Sequence, residues 1–202
     1  MIRGIDHVVL VVGDLARASA EHRERGFTVT PGGEHTGGLT HNALIGFQDG
    51  SYLELIAFYD VAAARGKHSW QPVAERGGGW ADFALRSDDI HVDADALKHL
   101  LVRPLEPGGR TRPDGVAVAW MLARLRPPLP FLIEDITPRA VRVPEGEAAR
   151  HRNGLTGIAG IVLGARDTGL LTAAYGRLRA RGAPPIDIEQ SERDGLLDAR
   201  LE

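Results

Sequence analysis

The chain has 202 residues, a formal net charge of −3, 43% hydrophobic residues and 25% charged residues, which is typical of a globular protein with a full hydrophobic core. The near-neutral charge and the lack of basic runs argue against binding to nucleic acid or to an anionic membrane. Because the chain has no cysteine, it cannot form a disulfide, a thiolate zinc site or a cysteine nucleophile, and we expect a cytoplasmic protein.

The first predicted element is a strand at residues 5–12, a continuous apolar run of mostly β-branched residues that contains His7. Asp14 is placed to cap a helix over residues 15–25, and Gly26 ends this helix. The residues before the strand lack the pattern of a signal peptide, and no apolar run approaches the roughly 20 residues of a membrane helix.

A hairpin follows in the next part of the sequence. A short strand is predicted at residues 27–30, the Pro-Gly-Gly triplet at 31–33 breaks it, and residues 34–39 are predicted to form a glycine-rich loop. Residues 40–47 and 51–58 then form two strands around an Asp-Gly turn. Glu54 lies in the second of them among apolar neighbours. The first module is therefore predicted to be β-α-β-β-β.

The same order of elements is predicted again after a linker at residues 60–79. The elements are a strand at 80–85, a helix at 90–101, a turn-rich segment at 104–113 and strands at 116–125 and 130–136. Residues 137–153 are polar and irregular. A strand at 157–163, a helix at 168–181 and short strands at 186–188 and 196–202 complete the chain.

Aligning the helix caps shows that the unit is repeated. His7, Asp82 and Gly160 each precede a capping aspartate by seven residues. The modules are predicted at residues 1–60 and 78–138, with a partial third module at 155–202. In the last strand of each full module, we align Leu53-Glu54-Leu55 with Ile133-Glu134-Asp135. His7 and Glu54 thus correspond to Asp82 and Glu134.

Residues 4–58 resemble the glyoxalase-like branch of the vicinal oxygen chelate superfamily, through the segments 4–10, 26–33 and 52–56. The segment 130–134 extends the resemblance over 78–136. The resemblance implies an α+β fold in which paired βαβββ modules form a cupped half-barrel sheet around a divalent metal, Zn, Ni, Mn or Fe. The ligands that it implies are His7, Glu54, Asp82 and Glu134.

The implied function is a metal-dependent lyase, isomerase or dioxygenase that acts on a small substrate with vicinal oxygens. The metal would act as a Lewis acid, and Glu54 or Glu134 would be the catalytic carboxylate that moves a proton. The alternative is a metal-free protein that binds or sequesters a small molecule. Asp82 favours this alternative, because the superfamily often has histidine there.

Other interpretations of the predicted ligands stay open. His7 could be a core histidine whose ring is hydrogen-bonded, and Asp82 a structural carboxylate. A carboxylate in an apolar strand needs a partner, which for Glu54 could be Arg86 or Arg124 instead of a metal. Glu134 carries the added risk that its strand faces outward.

Further side chains are predicted to contact the substrate. His41 and Asn42 begin the third strand of the first module and could line the cup, or could lie at an exposed strand start. An apolar wall is predicted from the aromatic residues Trp80, Trp120 and Phe131, which could equally be core residues. Five histidines fall on predicted helices or loops and should be solvated: His22, His68, His91, His99 and His151. The incomplete third module favours a homodimer and suggests a truncation after Glu202.

Overall fold

A computed structural model describes residues 1–202 and contains eleven strands and five α-helices. The elements of the first half are β1 (Ile2–Val11), α1 (Leu15–Glu24), β2 (Thr30–His35), β3 (Thr40–Gly46) and β4 (Tyr52–Phe58). Those of the second half are α2 (Gln71–Glu75), β5 (Gly79–Ser87), α3 (Ile90–Ala96), β6 (Glu106–Thr111), β7 (Ala117–Ala123) and β8 (Phe131–Asp135). The last are α4 (Arg139–Arg142), β9 (Ile158–Ala165), α5 (Thr168–Arg179), β10 (Asp187–Gln190) and β11 (Gly195–Leu201).

The first eight strands form one curved sheet that closes on itself in the order β1-β4-β3-β2-β6-β7-β8-β5. In each half the first strand pairs in parallel with the last, β1 with β4 and β5 with β8. The halves join along β1 and β5, and again through two residue pairs between β2 and β6. The predicted α+β fold of paired βαβββ modules is confirmed, and the β2–β6 seam closes the predicted half-barrel.

Three helices begin at the caps that the sequence predicted. Asp14, Asp89 and Asp167 each accept a hydrogen bond from the backbone N–H three residues further on. These bonds satisfy N–H groups that a helix start leaves free. The caps therefore place α1, α3 and α5 directly after β1, β5 and β9.

Alternation along the strands divides the apolar side chains into two clusters. The larger cluster covers the outer face of the barrel under the helices and includes Val8 and Leu132. The smaller cluster fills part of the barrel interior and includes Val9, Ile56 and Phe131. Polar side chains on the inner face therefore have apolar neighbours.

The last three strands form a separate sheet in which β9 lies between β10 and β11. The strand after its helix, β10, pairs directly with β9, whereas β2 lies three strands away from β1 in the barrel. Ile2 N donates to Arg181 O (3.0 Å), and the Arg181 guanidinium bonds the fully buried Asp93 (2.6 and 2.9 Å). These contacts attach the third unit to the start of β1. No helix is both long and apolar enough to cross a membrane.

Two segments differ from the prediction. β2 runs from Thr30 to His35, so the predicted break at 31–33 and the first two residues of the predicted loop at 34–39 are strand, and the predicted turn segment 104–113 contains β6. Both strands carry a Pro-Gly-Gly triplet, at 31–33 and 107–109. Proline and glycine indicated turns, but both strands contribute to the narrow β2–β6 seam, where the pairing is short.

Candidate functional site

The barrel encloses a cavity of about 320 Å³. Its wall is partly aromatic, with Trp70, Trp120 and Phe131, and its polar side chains include His7, His35 and Glu54. The volume is at the lower end of the range for small-molecule sites.

Glu54 is the buried acid of this cavity and lies in the middle of β4, where 5% of its surface is exposed. Its Oε1 atom accepts a hydrogen bond from Asn42 Nδ2 (2.6 Å) and lies 3.4 Å from His35 Nε2. Its Oε2 atom lies 3.6 Å from His7 Nε2. Burial raises the pKa of Glu54, but the hydrogen bond and charge of His35, with His7 and Asn42, lower it to about 2. The carboxylate is therefore ionised at neutral pH.

His7 lies on β1, where its neighbours fix the position of its ring. Its ring stacks on Tyr52 with the centroids 4.5 Å apart, and its Nδ1 atom donates to Asp6 Oδ1 (2.7 Å). Asp6 is fully buried and accepts from both Nη atoms of Arg142 at 2.8 Å. Burial raises the pKa of Asp6, but the Arg142 guanidinium holds it well below its usual range. Since an ionised carboxylate only accepts, Asp6 keeps a proton on Nδ1 and turns Nε2 toward Glu54.

His35 completes the cluster and was missed in the sequence. A β-bulge at Gly32 leaves Pro31 opposite Ala43 but Gly33 opposite Asn42, and His35 beyond the bulge lines the cavity. A Cβ on Gly32 would lie 1.9 Å from Asn42 Oδ1, so the bulge leaves no room for a side chain. The repeated Pro-Gly-Gly triplet was the signal that could have identified this strand.

The register shows which residues of the two halves correspond. His7 pairs with Ala84 and Val9 with Asp82, so the alignment of His7 with Asp82 agrees with the two-fold relation of β1 and β5. Val9 pairs with Glu54 in the first half, and its counterpart Ala84 pairs with Phe131 in the second. The counterpart of Glu54 is therefore Phe131.

Glu134 does not reach the cavity. It lies three residues beyond Phe131, and an odd shift along a strand turns a side chain to the other face. Its Oε2 atom accepts from Ile90 N (2.8 Å) at the start of α3, outside the barrel. The alignment of Glu134 with Glu54 was wrong because apolar residues flank both acids, so the pattern left their register open.

Comparison with known proteins identifies this arrangement. A family model described as a glyoxalase-like domain matches residues 5–179. The chain belongs to the glyoxalase-like domain family. It is thus a member of the vicinal oxygen chelate superfamily, as its resemblance implied. No curated protein matches the chain.

Two solved structures show the fold of this glyoxalase-like chain. A hypothetical protein from Staphylococcus aureus is 14% identical, with a TM-score of 0.76 over 96% of this chain and 88% of that one. A methylmalonyl-CoA epimerase variant from Streptomyces coelicolor, in complex with 2-nitronate-propionyl-CoA, is 22% identical. Its TM-score is 0.50 over 68% of this chain and all of that one. At these identities the likeness concerns the fold alone.

The remaining predicted ligand, Asp82, has other partners. Its Oδ2 atom accepts from Trp70 Nε1 (3.1 Å) and its Oδ1 atom from Phe83 N (2.9 Å). Burial raises its pKa to about 6 in spite of these bonds. Asp82 lines a neighbouring cavity of about 260 Å³ and not the one that contains His7 and Glu54.

The metal ligands that the resemblance implied do not fit one ion in this glyoxalase-like chain. Glu134 lies outside the barrel, and Asp82 is bound by Trp70. His7 and His35 both approach Glu54, but no three or more His, Cys, Asp or Glu side chains are arranged to hold a metal. The buried carboxylate is instead compensated by imidazole and amide groups.

The predicted substrate contacts divide between the two faces of the barrel. Trp120 and Phe131 line the cavity. Asn42 reaches Glu54, whereas His41, one residue earlier, stacks on Tyr59 with the centroids 4.4 Å apart.

Trp80 packs against the outer core, in contrast to its predicted place in the cavity wall. Val9 pairs with Asp82 but Leu10 with Trp80, so a bulge at Ala81 changes the face on which Trp80 lies. Asp6 is the extra residue of the corresponding bulge in β1, between Ile5 and His7.

His68 was predicted to be solvated but lines the cavity beside Phe58 and Trp70. Burial, together with the charge of the nearby Arg124, lowers its pKa to about 4. This imidazole is therefore neutral at physiological pH.

Proposed function

We propose that the protein is an isomerase or lyase that moves a proton on a small substrate with two neighbouring oxygen atoms. One observation carries the proposal. The buried Glu54 carboxylate lies between two imidazole Nε2 atoms, at 3.4 and 3.6 Å, inside a cavity of small-molecule size. Such a cluster can hold a proton close to a bound substrate.

The imidazoles are assigned the proton transfer. A carboxylate with a pKa of about 2 is a weak base at neutral pH, whereas histidine is the side chain that most often transfers protons in enzymes. The His35 side chain is 18% exposed and that of His7 is 4% exposed, so we assign the contact with the substrate to His35. Because its Nε2 atom faces Glu54, the proton is taken up at Nδ1, which lies 2.9 Å from Thr40 Oγ1, and the substrate replaces this contact. Glu54 stabilises the imidazolium that forms, and His7 holds Glu54 in place.

Other parts of the predicted function are not proposed. Dioxygenase chemistry in this superfamily depends on a redox metal, and the fold separates the ligands that were predicted for it. The homodimer and the cytoplasmic location stay predictions from the sequence. Gel filtration coupled to light scattering tests the first of them.

Proton exchange into solvent tests the function. The protein is incubated in D₂O with α-hydroxyketones, 2-hydroxy acids and 2-oxo acids of three to six carbons, and loss of the proton on the carbon adjacent to the carbonyl or carboxyl group is followed by ¹H NMR. Exchange should fall by about 10²- to 10⁴-fold in His35→Asn and Glu54→Gln. The control is His41→Asn, which changes a histidine outside the cavity and should exchange like wild type. Wild-type rates in both site variants would refute the proposal.

Binding without turnover is the second candidate. It is favoured by Phe131, which occupies the position where the two-fold relation would place a second carboxylate. Saturable binding by a wild-type protein that exchanges no proton would support this function and contradict the first.

A further inference from the structure

One buried arginine of the cavity wall has no acidic partner. Arg110 lies on β6, is 4% exposed and forms no ion pair. Its Nε atom donates to Gly32 O (3.1 Å) and its Nη2 atom to Arg142 O (2.6 Å). Only two backbone carbonyls therefore compensate a charged group that carries five N–H donors.

The other arginines of the wall are neutralised. Arg124 and Arg103 share Glu106 at 2.8 and 3.1 Å, and Arg142 is bound by Asp6. Glu54 is held by the two imidazoles and Asn42. No carboxylate in the cavity thus remains for Arg110, although a buried charge without a partner is costly.

The free edge of the guanidinium is accessible. Only two fully buried side-chain polar atoms lack a hydrogen-bond partner, Asn42 Oδ1 and His151 Nε2. Arg110 Nη1 bonds no protein atom and is not one of them, so it is not fully enclosed, and Arg110 lines both the cavity of His35 and a second cavity beside Arg112. Burial lowers the pKa of Arg110, and an anion placed against it would reverse this effect.

We propose that Arg110 binds the carboxylate of the substrate, so that the site takes small 2-hydroxy or 2-oxo acids. This inference rests on the proposed function for the reacting end of the molecule. A guanidinium binds a carboxylate through parallel hydrogen bonds that also orient it. His35 and Arg110 are direct partners across the β2–β6 seam, which places their Cβ atoms roughly 5 Å apart. An acid held by Arg110 thus has its proton-bearing carbon, C2 in a 2-hydroxy acid or C3 in a 2-oxo acid, on the side of His35.

Calorimetric titration of the wild type with pyruvate, lactate and their methyl esters tests the inference without any substitution. The acids should bind about 10- to 100-fold more tightly than the esters, as expected for a charged hydrogen-bonded pair. Arg110→Met should remove this preference, and Arg110→Lys should keep part of it. The matched control is Arg112→Met, two residues further on, because Arg112 pairs with Asp114 and should leave the preference unchanged.

Three results would overturn the inference: esters that bind as tightly as acids, no saturable binding of either acid, or an undiminished preference in Arg110→Met. Tighter Arg110-dependent binding of inorganic phosphate than of either acid would also overturn it. If Arg110→Met does not fold, the wild-type comparison still decides. Proton exchange and the preference for acids, both measured on the wild type, separate the two proposals. Acid preference without proton exchange in the wild type refutes only the proposed reaction, and exchange without acid preference refutes only the role of Arg110.

Discussion

Replacing Arg142 with methionine should destabilise the protein strongly, because this side chain holds the charged network behind His7. It is 1% exposed and gives two bonds of 2.8 Å to Asp6, which is fully buried. Removing one partner of a buried ion pair costs about 3–5 kcal/mol. Arg139 also binds Asp6 and remains in the variant, so we expect a loss at the lower end of this range, about 3 kcal/mol. That is a large part of a total stability of about 5–15 kcal/mol.

Urea unfolding of Arg142→Met and wild type measures this loss by linear extrapolation. The melting temperature should fall by roughly 6–12 °C, at about 2–4 °C per kcal/mol for a chain of this size. The matched control is Arg200→Met, because Arg200 and Asp187 are 52% and 55% exposed and such pairs contribute less than about 1 kcal/mol. A loss in Arg142→Met no larger than in this control would refute the view that the network organises the site.

Two further predictions concern the acids that the sequence proposed as ligands. The folded pKa of Asp82 is raised from 3.8 to about 6, so the folded state retains a proton that the unfolded chain releases, and stability from this group is lost as the pH rises through 6. Asp82→Asn should therefore gain free energy of unfolding relative to wild type between about pH 4.5 and about pH 7.5, and a constant difference would contradict the assignment. Glu134→Gln should exchange substrate protons at the wild-type rate, since Glu134 accepts from Ile90 N outside the barrel. It should lose at most about 1 kcal/mol in urea unfolding, and loss of exchange in a folded variant would place Glu134 in the site after all.

Local signals predicted much of the fold. The three aspartate caps, the Asp-Gly hairpin and the apolar strands each depend on residues close together in the chain, and the structure has the corresponding elements. β2 and β6 were the exceptions. Their Pro-Gly-Gly triplets indicate turns by local preference, and only pairing with neighbours keeps them extended.

Bulges explain two of the differences at the site. Strict alternation assumes that successive side chains of a strand point to opposite faces, and one extra residue reverses this pattern beyond it. The bulge at Gly32 precedes the missed His35, and the bulge at Ala81 turned Trp80 away from the cavity. The bulge at Ala81 leaves the composition of its strand unchanged, whereas the bulge at Gly32 lies in a Pro-Gly-Gly triplet that indicated a turn.

By itself, the sequence determined the repeated βαβββ unit and singled out His7 and Glu54, two residues that line the cavity. It could do so because caps, turns and alternation are local, and a polar residue in an apolar strand is conspicuous without any structure. Only the tertiary structure decided their partners. His35 comes from a different strand and Arg142 from 135 residues beyond His7, and Asp82 and Glu134 were separated from the cluster by strand register. Closing the barrel is what brings two imidazoles, a carboxylate and an unpaired arginine into one cavity.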